Sequence, residues 1–178
     1  SKKKVNVGLR LNPNIDAKTN TKISTGRTQD KFGLNRTEII KILNKFNRSK
    51  NIKFKCLSVH IGSQITQNKP YDNVLISINA ILSKTKHKFE YVDLGGGMGI
   101  KYNKEGKKLD YTRLSKNIHK FAKKNSCKII FEPGRSIVGN TAILLTKIIY
   151  IKKTSNKKFI IIDAGMNDLI RPALYNSI

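Results

Sequence analysis

The chain has 178 residues, a hydrophobic fraction of 38% and a formal net charge of +25. That length suffices for one domain with a real core and leaves little room for two. The apolar residues gather in tight clusters, at 129–131 and 159–162, which excludes a disordered chain.

The charge taken alone points to nucleic acid or an anionic membrane surface. Against that, only seven of the 36 basic residues are arginine, and the lysines are scattered among abundant Asn and Ile. A/T-rich coding produces the same mixture, and no stacking-aromatic or helix-turn-helix pattern accompanies the charge. A basic nucleic-acid- or anionic-surface-binding module therefore stays as the alternative of another class, and the expectation is no nucleic acid and no membrane partner. Cys56 and Cys127 each lead into an apolar run and read as small buried hydrophobes in a reducing compartment, without metal-type spacing. With no signal peptide and no apolar run of about 18 residues, the expected location is the cytoplasm.

Val5, Val7, Leu9 and Leu11 alternate with Asn6, Gly8 and Arg10, the period of a strand, and Asn12-Pro13 ends it. After a polar loop, Ile39, Ile42, Leu43 and Phe46 recur at helical spacing behind Asn35 and Glu38, placed as a capping box. The alternation repeats with a strand at 57–61 and a helix face of Val74, Leu75, Ile78, Ile81 and Leu82. A third round follows, with a strand at 91–94, a Gly-rich turn, and Leu114, Ile118, Phe121 and Ala122 behind Asp110 as cap. Residues 129–131 make a fourth strand. Such alternation requires parallel strands with right-handed crossovers, so the fold class is α/β, either a doubly wound sheet or a (β/α)8 barrel.

Beyond Val138 the pattern becomes two strand-like runs, 142–151 and 159–162, around a polar turn at Thr154, with no helical period. A domain boundary is expected near 136–140, with an all-β domain beginning beyond it.

Three segments that could carry chemistry sit where strands end: His60-Ile61-Gly62-Ser63-Gln64, Gly95-Gly96-Gly97-Met98-Gly99 and Glu132-Pro133-Gly134-Arg135. In βα architectures ligands bind at the C-terminal ends of strands. Three glycines let backbone N–H groups approach an anion, although a Gly run can equally be a tight turn. His60 can be a base, a ligand, a flat ring packed on another ring, or a satisfied core histidine. Glu132, ending an apolar strand, needs a partner to offset its burial: a cationic ring nitrogen, or an ion pair with Arg135.

Taken together, these segments resemble the diaminopimelate decarboxylase family, within the alanine-racemase-like class of pyridoxal-phosphate enzymes. The resemblance rests on Leu9-Arg10-Leu11-Asn12-Pro13 with Ile23-Ser24-Thr25-Gly26 and Lys31-Phe32-Gly33. These are followed in order by HIGSQ, DLGGGMGI, EPGRSIV and DAGMNDLIRPALY. The segment Thr19-Asn20-Thr21 departs from the family's usual His-Pro.

The resemblance implies that residues 1–138 are the last four βα units of a pyridoxal-phosphate-binding (β/α)8 barrel, and that 139–178 begin a C-terminal β domain. It implies decarboxylation of meso-2,6-diaminopimelate to L-lysine and carbon dioxide, with ornithine, arginine or carboxynorspermidine as the alternative substrates of sister enzymes. His60 would stack on the cofactor ring and Glu132 would pair with its pyridine nitrogen. Ser63, Gly95, Gly96, Gly97, Pro133, Gly134 and Arg135 would surround the cofactor, chiefly its phosphate. Arg135, Arg171 and Tyr175 would bind the substrate's distal carboxylate. Asp163 and Asp168 read as turn and capping residues. The lysine that binds the cofactor covalently is expected before residue 1 and is not Lys31, and the catalytic cysteine is expected beyond Ile178. The chain by itself is therefore expected to be inactive, and the active enzyme to be a homodimer with shared active sites.

Overall fold

The computed structural model of the protein describes residues 3–17, 25, 26, 30–46, 48–102, 104 and 106–175. Thr19, Asn20, Thr21, Ile23 and Ser24 of the first motif lie outside them. The elements run β1 (Val5–Leu11), α1 (Arg36–Lys45), β2 (Ile52–Val59), α2 (Lys69–Thr85), β3 (Tyr91–Asp93), α3 (Tyr111–Asn125), β4 (Lys128–Ile130), α4 (Arg135–Val138), β5 (Ile148–Lys153), β6 (Lys158–Ile162) and α5 (Arg171–Tyr175).

The first four strands pair in parallel in the order β1-β2-β3-β4. A doubly wound sheet reverses its strand order at a switch point, whereas a barrel adds each strand beside the last. The sequential order is that of a barrel, and it settles the choice left open by the alternation alone.

Local chemistry explains the helices. The Asn35 side chain accepts from the Glu38 N–H at 2.9 Å while Glu38 accepts from the Asn35 N–H at 2.8 Å, the reciprocal cap that starts α1. Asp110 accepts from the Arg113 N–H at 2.9 Å and starts α3. Pro70 opens α2, where a missing N–H costs nothing.

The core lies between the sheet and these helices. Leu9 and Leu11 of β1, Leu57 and Val59 of β2, and Val92 of β3 are buried against Ile39, Leu43, Val74, Ile78, Ile81, Leu114, Ile118 and Phe121. Because successive strand residues face opposite ways, Arg10, Ser58, Asp93 and Ile130 share the other face. They are register partners across the four strands.

Strand limits differ from the sequence reading. β2 begins at Ile52 rather than 57, since Lys53 and Lys55 interleave with Ile52, Phe54 and Cys56 in the same period of two. Of the run 142–151, only the part from Ile148 onward pairs, antiparallel to β6 in a separate two-stranded sheet. Two short helices, α4 and α5, went unpredicted, because four and five residues are too few to show a period. Cys56 and Cys127 are half-buried rather than buried, and both are free thiols. Asp168 accepts the Gly165 N–H at 2.8 Å within a turn, whereas Asp163 accepts the Lys147 N–H at 2.9 Å across the open end of the β5–β6 pair rather than in a turn.

Among the described residues, no helix is long and apolar enough to cross a membrane.

Candidate active site

One step past the row Arg10, Ser58, Asp93, Ile130, the same face of the sheet continues through His60, Gly95 and Glu132. Here the three strand ends are tied together by the backbone. The Glu132 N–H donates to the Gly95 carbonyl at 2.9 Å, and the Gly96 N–H donates to His60 Nδ1 at 3.3 Å. Accepting at Nδ1 leaves the neutral imidazole its proton on Nε2. His60 is half-buried, and its pKa is held below the ordinary histidine value by that burial and by the positive charge of Arg10, with Glu132 and Asp93 opposing. The Thr25 hydroxyl caps the turn by donating to the His60 carbonyl at 2.8 Å.

The glycine run is more than a loose turn. Gly95 and Gly97 have φ of 67° and 92°, a region side chains avoid. A Cβ on Gly96 would overlap the Glu132 carbonyl oxygen, and one on Gly97 would overlap the Gly62 carbonyl oxygen. Asp93 Oδ1 accepts the Gly95 N–H at 2.8 Å, and the buried Tyr71 hydroxyl donates to the Gly96 carbonyl at 2.8 Å. The Ile65 N–H donates to the Gly97 carbonyl at 2.8 Å, which locks the run to the segment after Ser63.

Gly134 stands apart from this packing. A Cβ there would meet no atom within 4 Å, and no side chain caps the α4 helix that starts next to it.

Glu132 is exposed, contrary to the burial expected of it, because β4 is the last strand of the four and its inner face has no facing layer. Nor does it pair with Arg135. The Arg135 Nη1 donates instead to Gln64 Oε1 at 3.1 Å. Gln64 also grips both backbone groups of Ile100, donating from Nε2 to its carbonyl at 2.6 Å and accepting its N–H at 3.3 Å.

Arg171 belongs to a helix. It opens α5, with its guanidinium 3.9 Å from the centroid of the Tyr102 ring and 6.0 Å from that of Tyr175.

The structure thus brings His60, Gly95, Gly96 and Glu132 into direct contact, with Gly97 beside them. Arg135 reaches back to the loop that holds Ser63, and Arg171 with Tyr175 forms a second cluster around Tyr102. Sequence reasoning missed Tyr71 and Tyr102, and it quoted Asp93 and Gln64 within motifs without giving either a role. Asp93 was legible as an Asp two residues before Gly95, the spacing of an Asx turn, whereas Tyr71 carried no local sign and simply reads as a helix residue.

A family model described as the pyridoxal binding domain of pyridoxal-dependent decarboxylases matches residues 1–139. The chain belongs to this family. Among curated relatives, the diaminopimelate decarboxylase of Aquifex aeolicus is 39% identical over 98% of this chain and 42% of its own length. That of Zymomonas mobilis is 37% identical over 98% and 42%. A crystal structure of the Helicobacter pylori diaminopimelate decarboxylase complexed with L-lysine superposes with a TM-score of 0.88 at 35% identity, covering 98% of this chain and 44% of that one. The chain spans about 42% of the length of the curated relatives it matches.

The residues present fit the family's cofactor, pyridoxal 5'-phosphate. Glycine backbone at Gly95–Gly97 and the uncapped first turn beside Gly134 offer N–H donors without side-chain obstruction, as a phosphate needs. An exposed carboxylate at Glu132 and a neutral ring at His60 suit a protonated aromatic nitrogen and a ring face.

Proposed function

We propose that the chain is part of a decarboxylase that removes one carboxylate from meso-2,6-diaminopimelate, giving L-lysine and carbon dioxide, with pyridoxal 5'-phosphate as cofactor. In this reading residues 1–138 are the last four βα units of the barrel, and 139–178 begin a C-terminal β domain. The observation that carries it is the row His60, Gly95, Glu132 at three adjoining strand ends, with two arginine clusters beside it.

His60 would stack on the cofactor ring and, being neutral, would add no positive charge there. Ser63, Gly95, Gly96 and Gly97 would hold the phosphate, together with the backbone from Pro133 to Arg135 at the start of α4. Glu132 would pair with the pyridine nitrogen and favour its protonation. When bound, the cofactor supplies an electron sink for the carbanion left as carbon dioxide departs.

Arg135 and Arg171 bind the carboxylate that remains in the product, a task suited to a planar fork of fixed charge, and Tyr175 adds a hydroxyl. A substrate with two carboxylates needs this second cationic grip; ornithine and arginine do not. The +25 charge is here a matter of composition rather than of a polyanion partner. A homodimer with active sites shared between subunits, in the cytoplasm, completes the proposal.

The test is to express the full reading frame and measure carbon dioxide release from diaminopimelate, ornithine and arginine, with and without pyridoxal phosphate. Cofactor-dependent release from diaminopimelate alone is expected. Release chiefly from ornithine or arginine would overturn the substrate while keeping the cofactor site. A complete but inactive protein with salt-sensitive affinity for polyanions would overturn the enzyme reading altogether.

A further inference from the structure

The segment leaving the glycine run, Ile100 to Tyr102, touches both guanidinium groups through intermediaries. On one side, Gln64 clamps the Ile100 backbone with two hydrogen bonds of 2.6 and 3.3 Å, and its Oε1 accepts from Arg135 Nη1 at 3.1 Å. Gln64 sits at a positive φ of 64°, which turns its side chain back across the chain. Its amide orientation is set by its partners, since a guanidinium only donates and the Ile100 carbonyl only accepts. On the other side, Tyr102, two residues further on, carries the Arg171 guanidinium 3.9 Å from its ring centroid, within cation–π range.

We infer that Gln64 and Tyr102 are positioning residues that aim Arg135 and Arg171 at one carboxylate of the substrate. A guanidinium on a long side chain loses rotamer entropy when it binds. An amide acceptor on one and an aromatic face under the other remove part of that freedom in advance. Gln64 follows Ser63 in the loop after β2 and Tyr102 follows the glycine run in the loop after β3, two loops of the proposed phosphate cradle, so cofactor and substrate anchors share one frame. The inference rests on the decarboxylase reading above.

The full-length enzyme with pyridoxal phosphate is the object to test, as wild type and as Gln64→Met, Tyr102→Leu and Tyr102→Phe. Cofactor absorbance checks that each is loaded equally. KM for diaminopimelate is expected to rise roughly tenfold in Gln64→Met, which loses a charge-assisted hydrogen bond. A rise of roughly threefold is expected in Tyr102→Leu, which loses the ring. In both, kcat should change much less, as for an interaction made equally in ground and transition states.

Tyr102→Phe keeps the ring and should match wild type. Inhibition by cadaverine, which has the two amines and no carboxylate, should be unchanged in all three, whereas inhibition by lysine should weaken in step with KM. A KM that does not move, a Tyr102→Phe enzyme as impaired as Tyr102→Leu, or a parallel loss of cadaverine binding would each overturn the inference. A wild-type enzyme inactive on diaminopimelate would instead overturn the reading on which it rests.

Discussion

Substituting Gly96 and Gly134 by alanine applies one chemical change to two glycines of the proposed phosphate cradle with opposite surroundings. At Gly96 the new methyl would overlap the Glu132 carbonyl oxygen, a backbone atom that cannot swing aside. Relief requires β4 and the glycine run to part. That strains the 2.9 Å bond from the Glu132 N–H to the Gly95 carbonyl and pulls the Gly96 carbonyl from the Tyr71 hydroxyl, 2.8 Å away and fully buried. Overpacking costs about 1–3 kcal/mol, and stranding a buried hydroxyl costs about 1–3 kcal/mol more. The expected loss is therefore about 2–6 kcal/mol, a fall of about 1–2 M in urea midpoint for a protein whose dependence is near 3 kcal/mol per M. At Gly134 the methyl enters open space, so the apoprotein should lose much less, below about 1 kcal/mol. Urea unfolding of the two full-length apoproteins, followed by circular dichroism, measures both. Equal midpoints would refute the argument, because they would mean that the contact between the glycine run and Glu132 does not constrain the folded state.

Tyr71→Phe removes only the donor to the Gly96 carbonyl; thermal or urea unfolding should show a loss of about 1–2 kcal/mol, as for a buried acceptor left unpaired. His60 provides a pH signature: its folded pKa lies below the unfolded value of about 6.5, so its contribution is fully present above that value. It is lost as pH falls through the folded pKa, because the unfolded chain takes up the proton first. Unfolding midpoints from pH 8 to pH 5 should therefore decline less steeply in His60→Gln than in wild type. Burial raises the pKa of both thiols, with the Asp93 charge adding to the effect at Cys56. Alkylation at pH 8 should accordingly be slower in the folded protein than in urea for each.

Elements with their own local chemistry could be read from the sequence, and those made by distant partners could not. Asn35 and Glu38 announce α1 because the capping box is complete within four residues. The His60, glycine and Glu132 segments announce themselves because ligand sites in βα folds sit at strand ends, and strand ends follow from hydrophobic period. The lysines of β2 concealed its first half, since Lys53 and Lys55 look like loop composition until their alternation with Ile52, Phe54 and Cys56 is noticed. The burial expected at Glu132 was a property of a closed barrel, whereas β4 has a neighbour on one side. Gln64 with Arg135, and Tyr102 with Arg171, are joined across about seventy residues by the order in which strands add. No residue pattern encodes that meeting, and only the fold supplies it.

Net charge is silent on the site for a related reason: it counts lysines without regard to which end of the sheet they occupy. Lys4, Lys50, Lys53 and Lys55 line one groove with Asn51 and Ile52, at the N-terminal ends of β1 and β2. His60 follows the C-terminal end of β2. Eight strand residues at ~3.3 Å each separate the two ends by about 26 Å, several times the Debye length of about 8 Å at physiological salt. Lys4, Lys50 and Lys53, at or before the starts of these strands, and Lys55, about halfway along β2 and ion-paired with Glu90 at 2.9 Å, contribute little to the potential felt by a substrate carboxylate. Replacing Lys50 and Lys53 together by alanine in the full-length protein should accordingly leave kcat/KM for diaminopimelate, the proposed substrate, within about twofold at physiological salt. Arg135→Ala in the same assay should reduce it by roughly a hundredfold, as for a charge-assisted bond lost at the substrate. A comparable loss in the lysine variant would mean that the groove and the site are electrically one, and that the arginines are not the cations that select the substrate.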